Sequence, residues 1–127
     1  MRVLLDTHIL LWALAEPEKL SQSTRARLED ADSDILFSAA SIWEIAVKSQ
    51  SGISFSMRPD EIAAAAVDSG FRELPVRSDA VTLVATLPPH HHDPFDRLLL
   101  AQAIAEPARF CTVDKSLAVY SDLVHFL

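Results

Sequence analysis

Strand-like and helix-like segments alternate along the chain and predict an α/β fold: a three-layer sandwich with a central, mainly parallel sheet flanked by helices. Two observations carry this. Short apolar runs recur at 1–5, 34–38 and 109–113, each closed by a polar residue, as in strands buried on both faces. Longer segments with helix caps and stop signals separate them, so successive strands need crossover connections and pair in parallel. With 127 residues, half of them hydrophobic and only two glycines, the chain suits one ordered domain over 1–127.

The elements follow in order. Met1 to Leu5 is the first strand and ends at Asp6. Thr7 to Ala15 is helical, and Ser21 caps a helix over Gln22 to Asp30. "DILFS" at 34–38 is the second strand; a helix over Ala39 to Gln50 stops before Gly52, and one over Asp60 to Ser69 stops before Gly70. "FRELPV" at 71–76 is an edge strand, because Pro75 cannot donate to a ladder. Asp79 to Leu87 is helical up to Pro88 and Pro89. Pro94 to Ala105 follows with Asp93 as N-cap and Pro94 at N1, and Pro107 ends it. "RFCTV" at 109–113 and the closing "DLVHFL" are the last strands.

Net charge −7 argues against a protein that coats nucleic acid, since that binding needs Lys and Arg on phosphates. It does not exclude chemistry on a phosphodiester, because a carboxylate site makes the count more negative and divalent cations offset it locally. A lone cysteine, Cys111, inside "ARFCTV" reads as a buried reduced thiol, and the apolar run Ile9 to Ala15 is too short to span a bilayer. These features predict a cytoplasmic protein without a membrane partner.

In an open α/β sheet, ligands bind beyond the carboxyl ends of the strands. Asp6 ends the first strand, Asp114 follows "RFCTV", Glu44 lies in the helix after "DILFS", and Asp96 opens the helix after the histidines; all four can reach that edge. Each also has a local explanation. Asp6 and Asp114 can cap, at about 1 kcal/mol. Asp96 can favour a helix dipole, and Glu44 can pair with Lys48 at i, i+4. What separates Glu44 and Asp96 is setting: Ile42, Trp43, Ile45 and Val47 surround one, "LLLAQAIA" follows the other, and an almost wholly apolar helix rarely carries an ion without use. Four acids on one rim would repel unless protonated or metal-bound, and oxygen-only ligation selects Mg²⁺ or Mn²⁺. Asp93 is assigned to capping. Three consecutive histidines cannot all converge on one ion, so His90 and His91 are read as surface residues, with His92 and His8 nearer a pocket rim.

With these positions in hand, "LLDTHILLW", "SAASIWEIAVK", "HHDPFDRLLLAQA" and "CTVDKSLAVY" resemble, in order and spacing, the PIN-domain ribonuclease toxins of type II toxin–antitoxin modules, the VapC family. The resemblance covers nearly the whole chain. It implies a PIN fold, a Mg²⁺- or Mn²⁺-dependent endoribonuclease acting through Asp6, Glu44, Asp96 and Asp114, polar Thr7 and Thr112 beside the site, a homodimer, and a small antitoxin that covers the acidic pocket. Lys48, Arg97 and Lys115 become candidates for contact with the RNA backbone, against the plainer reading of surface ion pairs. One segment departs: Gly52 leads into "ISFS" where related sequences carry a basic residue. Two other readings compete. A receiver-type signalling domain also collects acids and Mg²⁺, but it has paired acids after its first strand and a late lysine–proline pair, both missing here. An inactive PIN-like binding module, its acids serving as caps, is the other.

Overall fold

The computed structural model describes residues 1–127. Four strands, β1 (Arg2–Leu5), β2 (Asp34–Ser38), β3 (Arg72–Leu74) and β4 (Arg109–Cys111), form one sheet in the order β3-β2-β1-β4, and every pairing is parallel. Six α-helices connect them: α1 (Thr7–Ala15), α2 (Gln22–Glu29), α3 (Ala39–Gln50), α4 (Pro59–Asp68), α5 (Ser78–Leu83) and α6 (Pro94–Ala105). Short 3₁₀ turns lie at Pro17–Lys19, Val84–Thr86 and Lys115–Tyr120. No helix is long and apolar enough to cross a membrane.

Strand alternation builds the three layers. Val3, Leu5, Ile35, Phe37 and Cys111 face one side and pack with Ile9 and Leu10 of α1, Ile45 of α3 and Ile62 of α4. Leu4, Leu36 and Phe110 face the other and pack with Leu99, Leu100 and Ala103 of α6 and with Tyr120. Successive side chains of a strand point to opposite faces, so both faces need apolar residues, which is why these strands read as continuous apolar runs. Each wholly buried Leu or Phe contributes roughly 1.5–3 kcal/mol.

Local signals set the boundaries. Gly52 and Gly70 adopt φ of 98° and 89° just past α3 and α4, and the amides of Ile53 and Phe71 return to Lys48 O and Ala66 O, closing both helices. Asp93 caps α6 by accepting from the amides of Phe95 (2.8 Å) and Asp96 (3.4 Å), with Pro94 at N1.

Three expectations need correction. The helix expected over 79–87 ends as α at Leu83 and tightens to 3₁₀ over Val84–Thr86. The carbonyl of Val84 would be met by the amide of residue 88, which is proline; the Leu87 amide meets it in a tighter ring at 3.3 Å, and Arg97 Nη2 adds a second bond at 3.1 Å. The strand expected over 109–113 stops at Cys111, where the chain turns towards Asp114. The expected closing strand is one parallel bridge, Phe110 with Phe126, held by Phe110 N to His125 O (2.8 Å) and Leu127 N to Phe110 O (3.0 Å). β4 is an edge with only three paired residues, so little ladder is there to extend.

Candidate metal centre

Because all four strands are parallel, their carboxyl ends share one edge of the sheet. A cleft of about 450 Å³ opens there, and Asp6, Glu44, Asp96 and Asp114 all line it, together with Lys48, His8 and His91. The four acids come from the end of β1, the second turn of α3, the first turn of α6 and the turn after β4.

Asp6 is 5 % exposed. Its Oδ1 accepts from Ile9 N at 2.8 Å, the helix cap of α1, and its Oδ2 accepts from the Thr112 hydroxyl. Burial pushes its pKa above the usual carboxylate value, against the lowering pull of Thr112 and of the Ile9 amide. Capping and site placement therefore coincide in one side chain. Glu44, 4 % exposed, accepts from Thr7 Oγ1 at 2.6 Å and from Lys48 Nζ at 2.5 Å, while Ser41 Oγ stands 3.0 Å from the same Thr7 oxygen. The bond to Glu44 holds the Lys48 ammonium pKa up.

Asp96 is half-buried, and its Oδ2 lies 2.8 Å from His91 Nε2. Burial raises its pKa, His91 opposes that rise, and nearby Asp93 adds to it. Asp114 is exposed; its Oδ1 accepts from the amide (3.0 Å) and hydroxyl (2.6 Å) of Ser116, which hold its carboxyl below the usual value. Lys48 is the one permanent cation lining the cleft, against five carboxylates once Asp93 is included. One donor atom from each of His91, Asp96 and Asp114 lies within 4.8 Å of the other two. An oxygen-rich donor set with unbalanced negative charge, two of whose acids are held against ionisation by burial, suits a hard divalent cation.

A model of the PIN domain family matches residues 3–123. The chain belongs to the PIN domain family. This PIN domain is 32 % identical over 120 residues to ribonuclease VapC22 of Mycobacterium tuberculosis (strain ATCC 25618 / H37Rv), a match spanning 91 % of this chain and 88 % of that protein. Its fold is like that of VapBC2 from Rickettsia felis, solved bound to a DNA fragment from their promoter, with TM-score 0.71 and 16 % identity over 98 % of this chain and 97 % of that one. VapBC-1 from nontypeable Haemophilus influenzae gives TM-score 0.65 and 17 % identity over 100 % and 97 %.

The PIN domain departs from the sequence reading at four basic or histidine positions. His91, read as surface, lines the cleft, whereas His92 is exposed and lies off it. Arg97, read as free for RNA or an ion pair, donates to the carbonyls of Pro88 (2.9 Å), Leu87 (3.2 Å), Val84 (3.1 Å) and His91 (3.4 Å) and to the Tyr120 hydroxyl (3.3 Å). It clamps the loop before α6, with both terminal nitrogens of the guanidinium turned to the chain itself. Lys115 is exposed and does not line the cleft. Sequence reasoning missed Ser41 and Trp12 of this PIN domain; the serine had a signal, a buried hydroxyl three residues before Glu44 in an otherwise apolar helix.

Proposed function

We propose that this PIN domain, spanning 1–127, is a divalent-metal-dependent endoribonuclease and the toxin of a type II toxin–antitoxin module, with Asp6, Glu44, Asp96 and Asp114 as its catalytic, metal-holding acids. The supporting observation is the meeting of these four carboxylates, from four separate segments, in one cleft at the carboxyl edge of the sheet. The relationship to ribonuclease VapC22 favours RNA as substrate.

Mg²⁺ or Mn²⁺ is the cation the carboxylates would hold; when bound, such an ion neutralises phosphate charge and acidifies water. The rest falls to the chain. The Ile9 amide and Thr112 hydroxyl fix the Asp6 carboxylate, and Thr7 and Lys48 fix Glu44, so neither must reorganise when substrate arrives. Lys48, bound on one side to Glu44, faces the cleft where a phosphate would sit. Cleavage by water in this setting leaves 5′-phosphate and 3′-hydroxyl ends.

A small cognate antitoxin covering the cleft, a homodimeric toxin and a cytoplasmic location complete the proposal. VapBC structures share the fold, and an apolar face stands beside the cleft: Trp43, 58 % exposed, is edge-on to Phe95 at 4.8 Å, with exposed Val47 one turn further along α3. Incubating the purified chain with tRNA, rRNA and mRNA fragments in Mg²⁺ or Mn²⁺ tests the activity. Cleavage should disappear with EDTA, with Asp96→Asn and on addition of the antitoxin. Equal cleavage by Asp96→Asn rejects the assignment.

A further inference from the structure

The histidine triplet is the sequence feature that the proposed function leaves unused, and its three members diverge. His90 is exposed, its ring edge-on to Tyr120 at 5.7 Å. His92 points to solvent. His91 alone turns inward, half-buried, its Nε2 2.8 Å from Asp96 Oδ2 and within the 4.8 Å cluster that also takes in Asp114.

The acids of the cleft differ in how far the chain satisfies them. Asp6 and Glu44 each have a hydrogen-bond donor on both oxygens. Asp96 has His91 as its only side-chain partner, and both contacts to Asp114 fall on Oδ1. The least committed oxygens therefore belong to the two acids nearest the imidazole. Metal–ligand bonds of roughly 2.1 Å in an octahedral shell put neighbouring donors about 3 Å apart. The spacing between His91 Nε2 and Asp96 Oδ2 matches such an edge.

The imidazole is also held in place. The amide of His91 donates to the Tyr120 hydroxyl at 3.1 Å, its carbonyl accepts from Arg97, and the Tyr120 hydroxyl donates in turn to Pro88 O at 2.8 Å. A solvated histidine would not require its backbone pinned on both sides, whereas ligands work best when their supporting contacts fix them beforehand.

We propose that His91 is a nitrogen ligand of the cation held by Asp96 and Asp114, and that it biases the site towards Mn²⁺ over Mg²⁺. The inference rests on the metal-dependent reading above and names a ligand which that reading lacks. Mg²⁺ prefers an all-oxygen octahedron and retains its waters, whereas transition-metal dications accept imidazole nitrogen readily. Removing the His91 imidazole should shift the balance between the two ions.

The test is pulsed electron paramagnetic resonance of Mn²⁺ bound to the full metal-stripped chain, with calorimetric titration of Mn²⁺ and Mg²⁺. The wild-type protein should show histidine-nitrogen modulation that changes on ¹⁵N-histidine labelling, and His91→Asn should abolish it while His92→Asn retains it. Mn²⁺ affinity should fall about tenfold in His91→Asn and Mg²⁺ affinity by less than about threefold. Mn²⁺ bound without nitrogen modulation, modulation that survives His91→Asn but not His8→Asn, or equal loss of both ions overturns the ligand assignment and leaves the carboxylate site standing. No binding of Mn²⁺ by the wild-type chain, or binding indifferent to Asp96→Asn and Asp114→Asn, overturns the metal reading itself. The wild-type spectrum needs no substitution, so a poorly folding variant cannot mask the result.

Discussion

Asp6 carries two duties that substitution can separate. Its Oδ1 caps α1 through Ile9 N, and asparagine caps as well as aspartate does. Asp6→Asn should therefore leave metal-free stability within about 1 kcal/mol of wild type while lowering divalent-ion affinity at least about tenfold. Asp6→Ala should lose both, the cap costing about 1 kcal/mol more. Urea unfolding beside calorimetric titration separates the two effects, and an Asp6→Asn protein that binds Mn²⁺ normally would reduce Asp6 to a cap. Asp96→Asn should lower RNA cleavage at least about a hundredfold, read as initial rates on the best fragment of the panel. At this scale the meeting of the acids was legible, two from turns after strands and two from helices: Asp6, Asp114, Glu44 and Asp96 all line one cleft, and their catalytic role is what these variants test. His91 was unreadable, because three identical residues carry no phase. Contacts with Tyr120, 29 positions away, and with Arg97 choose which imidazole turns inward.

At the scale of elements, α6 and the loop before it behave as one unit held by the Arg97 guanidinium. That group bonds the carbonyls of Val84, Leu87 and Pro88, on both sides of the step where the chain leaves α5 for the proline pair. Arg97→Met keeps the aliphatic stem but strands several polar groups, so unfolding in urea should show a loss of about 3 kcal/mol. Arg97→Lys should recover little, since an ammonium cannot span carbonyls arranged for a planar fork. Amide exchange should accelerate most over residues 84–92 in either variant; unchanged exchange there would show that the loop is held by other contacts. The same feature explains what sequence could give of the elements. Helices with a cap and a glycine stop, α3 and α4, match expectation almost to the residue. The segment after Leu83 does not, because its last turn depends on an arginine that arrives later in the chain. Edge strands suffer likewise: Val113 and the terminal residues carry strand-like side chains, yet pairing needs a neighbour, and beyond β4 only Phe110 supplies one.

For the whole molecule, the cleft sets ion binding against protonation and thereby links stability to pH. Burial raises the pKa of both Asp6 and Asp96 above 3.8. A carboxyl with a raised native pKa contributes stability that is complete below its unfolded value and is lost as pH climbs through the native one. The metal-free protein is thus penalised near neutral pH by two acids forced to ionise inside the cleft. Asp34 and Asp114 are shifted the other way, by Arg72 and Ser116 respectively, so their contribution holds at neutral pH and fades only in stronger acid. A divalent cation removes the penalty where Asp6 and Asp96 are ionised and gains nothing where protons already occupy them. Mn²⁺ at about 100 times Kd should stabilise the fold by roughly 2.7 kcal/mol near pH 7.5, about 10 °C in Tm for a domain of this size. At the same concentration that increment should shrink as pH falls through the raised pKa values of Asp6 and Asp96, because protons compete for both carboxylates. Calorimetric melts with and without Mn²⁺ across this range decide it. An increment that is flat with pH would mean that the ion binds away from Asp6 and Asp96, and Asp96→Asn should weaken the dependence, leaving the part that Asp6 carries.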